Sequence, residues 1–454
     1  MMRYMGFEPP IIRPHPLKAL SASPVAIAVL ASSALGLPIS ASPPSSPAVS
    51  GSTAPAAQAP VSVDALVQMA VAANPQVRAA KAQYLAAMHQ IKQAYAPNDP
   101  LVSWLDGQSP TGFGKPTLQT LEVSESFQFP GKAWLQGDNA HRNAEISRLA
   151  YLAAVRDAKA QVKTAYYQAL LDGALADTAA ENAMNINLLR QVARVAYVAN
   201  QVPQSDVINA EFDLTAASQT YLTSRIAEQN DEATINQILG RDPRTPLQLV
   251  TTVDIEPLHA PLDMLLQTAL AVRQEVLQAA LAEKNSATAL KLAHMEVLPD
   301  FTVSYFKDRW PLVTGAPAPN VTTDNGASIG MNIPVFYIFK QREDAKSAEA
   351  LLEAARANLR NVELQTQTSI TQLYRTTNLA FKVASRYHDS LIPLARQSFQ
   401  VALIAYQSRK ADFAYLATTL QRIYTARINY LTAVNQHLAG RTAIEQAVGG
   451  PIHL

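Results

Sequence analysis

Gly326-Ala327-Ser328-Ile329-Gly330 has the spacing G-x-S-x-G, in which a serine raised on a sharp strand-to-helix turn attacks a carbonyl with an acid and a histidine as helpers. Here Ser328 falls inside a run of alternating apolar and polar residues, which reads as a strand, and no second hydrolase feature accompanies it. Nucleophilic catalysis is not expected. None of the eight histidines has another three or four positions away, and His294-Met295-Glu296, the one softer cluster, reads as a helix end before a transient metal contact. No H-E-x-x-H, P-loop or dinucleotide fingerprint is present. Cysteine is absent, which removes disulfides, thiolate metal sites and any lipid attached through cysteine. The expectation is no enzyme, no cofactor and no metal. The remaining candidates cluster at two turns, Tyr197, Asn200 and Asp206 in one and Tyr406, Arg409, Lys410, Asp412 and Tyr415 in the other. Their meaning depends on the elements they join.

The 454 residues carry 37 Lys+Arg against 36 Asp+Glu, a formal net charge of +1. No long basic block offers a phosphate-neutralising surface, so no nucleic-acid partner is expected. Only 16% of residues are charged while 48% are hydrophobic, so some surface should face something other than bulk water. Arg3, Arg13 and Lys18 precede the apolar run 25–37, too short to span a bilayer as a helix but right for the core of a signal peptide over 1–41. Residues 42–61 are Pro/Ser/Ala-rich and read as a flexible leader. An exported protein follows.

The remainder repeats. Leu66-Val67-Gln68 falls on Leu265-Leu266-Gln267 and Pro100 on Pro299 at an offset of 199, while Val195-Ala196-Tyr197 falls on Ile404-Ala405-Tyr406 at 209. Leu239-Gly240-Arg241 against Ala439-Gly440-Arg441 gives 200. Two homologous halves result, 62–250 and 251–446, with 447–454 as a tail. The ten-residue change of offset is expected in the loop 107–117 against 307–326. Each half reads helix, strand, loop, strand, very long helix, turn, helix, with hairpins at about 100–129 and 300–336. Asp138 to Val202 is broken only by Gly173 and Lys340 to Arg409 only by Pro393, so each is a helix of some 65 residues, on the order of 100 Å. Pro393 should kink its helix without ending it.

Phe301, Val303 and Tyr305 alternate with Thr302 and Ser304; Ala327, Ile329, Met331 and Ile333 alternate with Ser328, Gly330 and Asn332. Leu121, Val123, Phe127 and Phe129 alternate with Thr120, Glu122, Ser124, Ser126 and Gln128, while Leu101 to Asp106 alternates less cleanly. One apolar and one polar face suits a transmembrane β-barrel with lipid outside and water inside; locally a half-buried sheet of a soluble domain reads the same. Trp104, Tyr305, Trp310 and Tyr337 flank strands, where an aromatic belt would lie at the membrane interface, although ordinary core packing also uses such residues. Four strands cannot close a barrel, and in lipid every strand edge must be paired. Two chains would give eight strands with an interior filled by side chains, while three would give twelve and begin to leave a water-filled lumen, which a conduit favours.

These features together, with the turn sequences Ala196-Tyr197 through Asp206-Val207-Ile208 and Ala405-Tyr406 through Leu416, resemble the TolC family of outer membrane efflux proteins. Phe129-Pro130-Gly131-Lys132 and Leu391-Ile392-Pro393-Leu394-Ala395 resemble its heavy-metal efflux branch. The family turn carries a glycine where this chain has Asn200 and Arg409. The resemblance implies a mainly α fold with a twelve-stranded transmembrane β-barrel shared by a homotrimer and a long periplasmic α-helical barrel. It further implies contact with outer membrane lipid and docking to a periplasmic adaptor and an inner-membrane pump of RND type; the absence of cysteine adds the expectation of no lipid anchor. It also implies that the two turns gather at the periplasmic end and close it through ionic and hydrogen-bonded links. Helix capping by Asp206 and Asp412 explains the same residues equally well. From another class, a soluble periplasmic coiled-coil scaffold would share the long helices.

Overall fold

The computed structural model describes residues 60–108, 117–251, 255–312 and 320–451. The expected signal peptide and nearly all of the leader lie outside them, as do the hairpin tips 109–116 and 313–319. The first half runs α1 (Val63–Ala73), α2 (Pro75–Tyr95), β1 (Leu101–Gln108), β2 (Thr117–Phe127), α3 (Lys132–Val198) and α4 (Gln204–Ile238). The second runs α5 (Leu262–Val272), α6 (Gln274–Met295), β3 (Phe301–Leu312), β4 (Asn320–Met331), α7 (Gln341–Arg386), a π turn (Tyr387–Leu391), α8 (Ile392–Gln407) and α9 (Phe413–Val448).

Each half opens on two helices rather than one. Pro75 cannot continue α1 because it has no N–H, and the Asn74 side chain caps α2 by accepting from the amides of Gln76 and Val77. The second half breaks at the same place without a proline. There Arg273 turns out of the helix (ψ 126°), and its guanidinium reaches the carbonyl of Ala447 at 3.0 Å. Asn74 donates likewise to the carbonyl of Ile238 at 2.9 Å. The offsets are 199 for Asn74 to Arg273 and 209 for Ile238 to Ala447.

Homologous cores sit behind these contacts. Leu66, Ala70 and Ile235 pack together in one, Leu265, Ala269 and Ile444 in the other, and all six are fully buried. Fully burying one such large apolar side chain contributes about 1.5–3 kcal/mol. Between the cores the long helices use small residues, and seven of the fourteen buried residues of α3 are alanines. Close approach of helix axes follows from that choice. Ion pairs tie the layers, with Arg156 on Glu275 at 2.5 Å and Lys163 on Glu445 at 2.6 Å.

The expected location of the ten-residue offset is corrected. Phe127 to Lys132 leaves four residues between strand and helix, whereas Met331 to Gln341 leaves nine. Five of the extra residues therefore lie after the second hairpin, not in a loop within it. The Gly240–Gly440 match is also corrected. Gly440 lies inside α9, while Gly240 (φ 68°) and Gly449 (φ 107°) both end helices in the left-handed region, at the 209 offset. α9 accordingly continues through the buried Ala447 and Val448, past the expected repeat end at 446.

Pro393 leaves the helix path continuous, as expected, but the chain widens into the π turn immediately before it. Proline removes one i→i−4 bond and its ring needs space, and a wider turn supplies that space.

The four strands form one antiparallel sheet in the order β1-β2-β3-β4. Directly opposed residues share a face, so the register Trp104↔Leu121, Val102↔Val123↔Tyr305↔Ala327, Val303↔Ile329 and Phe127↔Phe301↔Met331 assembles one apolar face across all four strands. Glu125 and Lys307 interrupt it. The opposite face carries Ser103, Glu122, Ser124, Thr302, Ser304, Asp308, Ser328 and Asp324, with Leu101, Leu105 and Phe306 among them. The uneven alternation of β1 comes from those two leucines. Most of the apolar face is exposed, and among the described residues no helix covers it and β1 and β4 end the sheet with unpaired edges.

Candidate functional site

The turns that end the two longest helical runs are built alike. Asn200 (φ 58°) and Arg409 (φ 62°) are the only described non-glycine residues in the left-handed region, and they lie 209 apart. The amides of Asn200 and Gln201 donate to the carbonyls of Tyr197 and Ala196, both at 2.8 Å; those of Arg409 and Lys410 donate to Tyr406 and Ala405, at 3.0 and 2.8 Å. This pattern satisfies the last helix carbonyls with a left-handed residue just past the end. Asparagine enters that conformation readily, whereas arginine is held there at a cost.

The following helices begin differently. Asp412 caps α9, its carboxylate accepting from the amide of Tyr415 at 2.8 Å. Pro203 occupies the corresponding place in α4, and Asp206 makes no side-chain cap. The capping expectation therefore holds for Asp412 and is corrected for Asp206. Asp206 sits instead on the wall of a groove of about 680 Å³ lined by Val192, Val195, Tyr406, Arg409 and Asp412, among others. Among the described residues it forms no ion pair with Arg409 or Lys410. Burial, then the charge of Asp412, pushes its carboxyl above the usual aspartate range.

Tyr406 is buried, stacked edge-on against Phe413 with ring centroids 6.2 Å apart. Its hydroxyl reaches no hydrogen-bond partner among the described residues, and burial followed by the nearby Asp206 charge raises its pKa. Leu189, Ala193, Ala210, Leu416 and Leu420 pack around it. Tyr197 and Tyr415 are instead exposed, as are Val195, Val198, Ile208 and Ile404. The two turns thus join in one apolar cluster within the chain and present an apolar rim outward.

At the other end of α3, Trp104 and Tyr305 stand exposed on the apolar face of the sheet, while Tyr337 lies in the segment between β4 and α7. Trp310 pairs with Thr322 in the ladder, and its side chain lies outside the described ones. Ser328 is paired with Ser304 within β4 and β3, so no elbow raises it. His294-Met295-Glu296 ends α6, where the Met295 methyl packs beneath Gly131.

One polar contact had no signature beyond the Phe129-Pro130-Gly131-Lys132 motif. Lys132 is buried, and its ammonium donates to Asp300 Oδ1 at 2.9 Å and to the carbonyl of Leu298 at 3.1 Å. Asp300 also accepts from the amide of Phe129 at 2.9 Å. The junctions of both hairpins with their helices are held by this knot.

Residues 265–450 match the family model described as outer membrane efflux protein. The chain is 22% identical over 403 residues to the cobalt-zinc-cadmium resistance protein CzcC of Cupriavidus metallidurans, covering 87% of this chain and 91% of that one. It is 24% identical over 326 residues to protein CyaE of Bordetella pertussis, 68% and 67% of the two chains. Its fold is similar to the outer membrane channel CmeC of Campylobacter jejuni (TM-score 0.73, 13% identity, 86% and 85% covered). It is also similar to CusC (TM-score 0.69, 14% identity, 86% and 92% covered).

Proposed function

We infer that this chain, a member of the TolC family of outer membrane efflux proteins, is the exit duct of a tripartite efflux system. The observation that carries this reading is a four-stranded sheet with an exposed, largely apolar face and, among the described residues, two unpaired edges. Such a sheet is stable in lipid only when its edges are paired, and three copies joined β4 to β1 close twelve strands around a wet lumen. The polar face, rich in serine, threonine and acidic residues, then lines the passage. The duct performs no chemistry; a pump of RND type and a periplasmic adaptor drive and deliver the cargo. Similarity to a cobalt-zinc-cadmium resistance protein supports divalent metal cations as that cargo.

The apolar rim of Tyr197, Val198, Ile208 and Tyr415 is the adaptor-facing end, and the groove between the turns is its gate. Since Asp206 forms no ion pair among the described residues, its cationic partners Arg409 and Lys410 come from neighbouring copies in the closed trimer. Expected results are a detergent-solubilised trimer from outer membrane fractions, and single-channel conductance in planar bilayers that rises on Asp206→Asn or on Arg409→Ala with Lys410→Ala. A detergent-stable monomer with intact β structure would contradict shared closure. Unchanged conductance in both variants would place the gate elsewhere.

A further inference from the structure

The segment 332–340 is five residues longer than its counterpart in the first half. There, four residues connect β2 to α3, folded onto Met295 and held by the Lys132–Asp300 knot. Here nine residues connect β4 to α7, and the extra length is almost wholly apolar: Ile333, Pro334, Val335, Phe336, Tyr337, Ile338 and Phe339. Ile333, Val335, Phe336, Ile338 and Phe339 are each 62–81% exposed. A connection made with four residues in the first half here carries a cluster of large apolar side chains that none of the described residues covers.

We propose that residues 333–339 are a membrane-interface anchor, seated in the periplasmic leaflet of the outer membrane where the barrel meets the helices. This rests on the reading of the sheet as a lipid-facing barrel. Three observations favour lipid over another occupant. The segment continues the exposed stripe of Ile329 and Met331 directly, so its apolar surface joins the lipid-facing one. Its backbone is largely satisfied from within, since Tyr337 N–H donates to Pro334 O at 3.2 Å and Phe339 N–H to Phe336 O at 3.0 Å. The amides of Lys340 and Arg342 donate to Phe336 O and Tyr337 O at 3.1 and 3.0 Å. Backbone groups paired locally can leave water without penalty. Finally, the aromatic cluster is followed by exposed Lys340 and Arg342, with Glu343 taken up by Lys346 at 2.8 Å and Asp344 beside it. Aromatic rings at the headgroup level with cations on the water side are what the interface selects. Because the chain has no cysteine, the segment supplies an attachment that a cysteine-linked lipid cannot.

The absence of cysteine also makes the test clean. Phe336→Cys and Phe339→Cys trimers, labelled with an environment-sensitive NBD fluorophore, are reconstituted in proteoliposomes, with Ile329→Cys as the barrel reference. The expected result is blue-shifted emission, shielded from aqueous iodide and quenched more by lipids with a doxyl group near the headgroup than near the chain end. Iodide quenching without doxyl quenching would overturn the anchor in favour of water. Shielding from both quenchers would overturn it in favour of a neighbouring copy, and stronger chain-end quenching would overturn the interfacial depth. If the Ile329 label also escaped both doxyl lipids, the barrel reading beneath the anchor would fall with it.

Discussion

Lys132 Nζ lies 2.9 Å from Asp300 Oδ1, joining the first residue of the longest helix to the residue that precedes β3. The ammonium side chain is only 3% exposed and the carboxylate side chain 38%. Burial alone would raise the Asp300 pKa, but hydrogen bonds from Lys132 and from the amide of Phe129 hold it below the usual range. Its contribution is therefore present above the ordinary aspartate pKa and is lost as pH falls through the lowered one. Asp300→Ala leaves the buried ammonium with the Leu298 carbonyl and the more distant Glu296 at 3.8 Å and should destabilise by about 2 kcal/mol, less than a fully buried pair because the carboxylate is partly hydrated. Heat-modifiability on semi-native gels should show the folded band lost at lower temperature, with Lys132→Met in the same background restoring part of it.

Gly449 repeats Gly240, and its surroundings are tighter. A Cβ there would meet Arg273 Cα at 2.8 Å in a backbone already at φ 107°. Gly449→Ala should cost about 1–3 kcal/mol through strain and displacement of the α5–α6 break. Ala substitution at Gly440, inside α9, meets a Thr377 side chain instead of backbone. Thermal midpoints should rank Gly449→Ala as the more damaging; the reverse order would contradict the 209 offset as the structural one.

Asn200 and Arg409 make opposite predictions about glycine. Both sit near φ 60°, yet asparagine tolerates the conformation and arginine does not. Arg409→Gly should stabilise the turn by about 1 kcal/mol, whereas Asn200→Gly should change little. Asn200→Val, β-branched at a left-handed position, should destabilise. Equal responses of the two glycine variants in chemical denaturation would show that the turns are not held as described.

Asp231 and Asp172 face each other between α4 and α3. Burial, a hydrogen bond that protonated Asp231 donates to the Asp172 carboxylate, and the charges of Asp172 and Glu228 push Asp231 up to about 7. Two carboxyls at such a contact share a proton, and Gln168 from α3 donates to Asp172 Oδ2 at 3.0 Å. The raised pKa means that the stabilisation is fully present below the ordinary aspartate value and is lost as pH rises through about 7. Urea midpoints should fall as the pH is raised from about 5 to about 8, by a loss on the order of 1–2 kcal/mol after allowing for partial hydration. Asp231→Asn should flatten that dependence. A slope unchanged in the variant would assign it to other groups.

Repetition and periodicity made much of the fold legible. Val195-Ala196-Tyr197 against Ile404-Ala405-Tyr406 gave the true offset of the helical parts because both turns need the same chain reversal at the same depth. Alternation along β2, β3 and β4 assigned their faces because side chains in a strand can only point two ways. The Gly440 match failed for a physical reason. A glycine inside a helix and a glycine ending one look alike in a sequence, and only φ distinguishes them. The hairpin loop attracted the ten-residue offset because loops tolerate insertion, although half of it went into an apolar stretch that reads equally well as strand.

The sequence by itself determined the strands, the long helices, the two halves and the residues available at the turns, since these follow from local periodicity and breakers. Tertiary structure decided which of those residues meet. It buried Tyr406 against Phe413 and set Asp206 in one groove with Asp412 and Arg409 without pairing it to the cation. It drew Lys132 into contact with Asp300, 168 positions away. Contacts of that range depend on how two folded repeats are laid together, and no local pattern of apolar and polar residues encodes that placement.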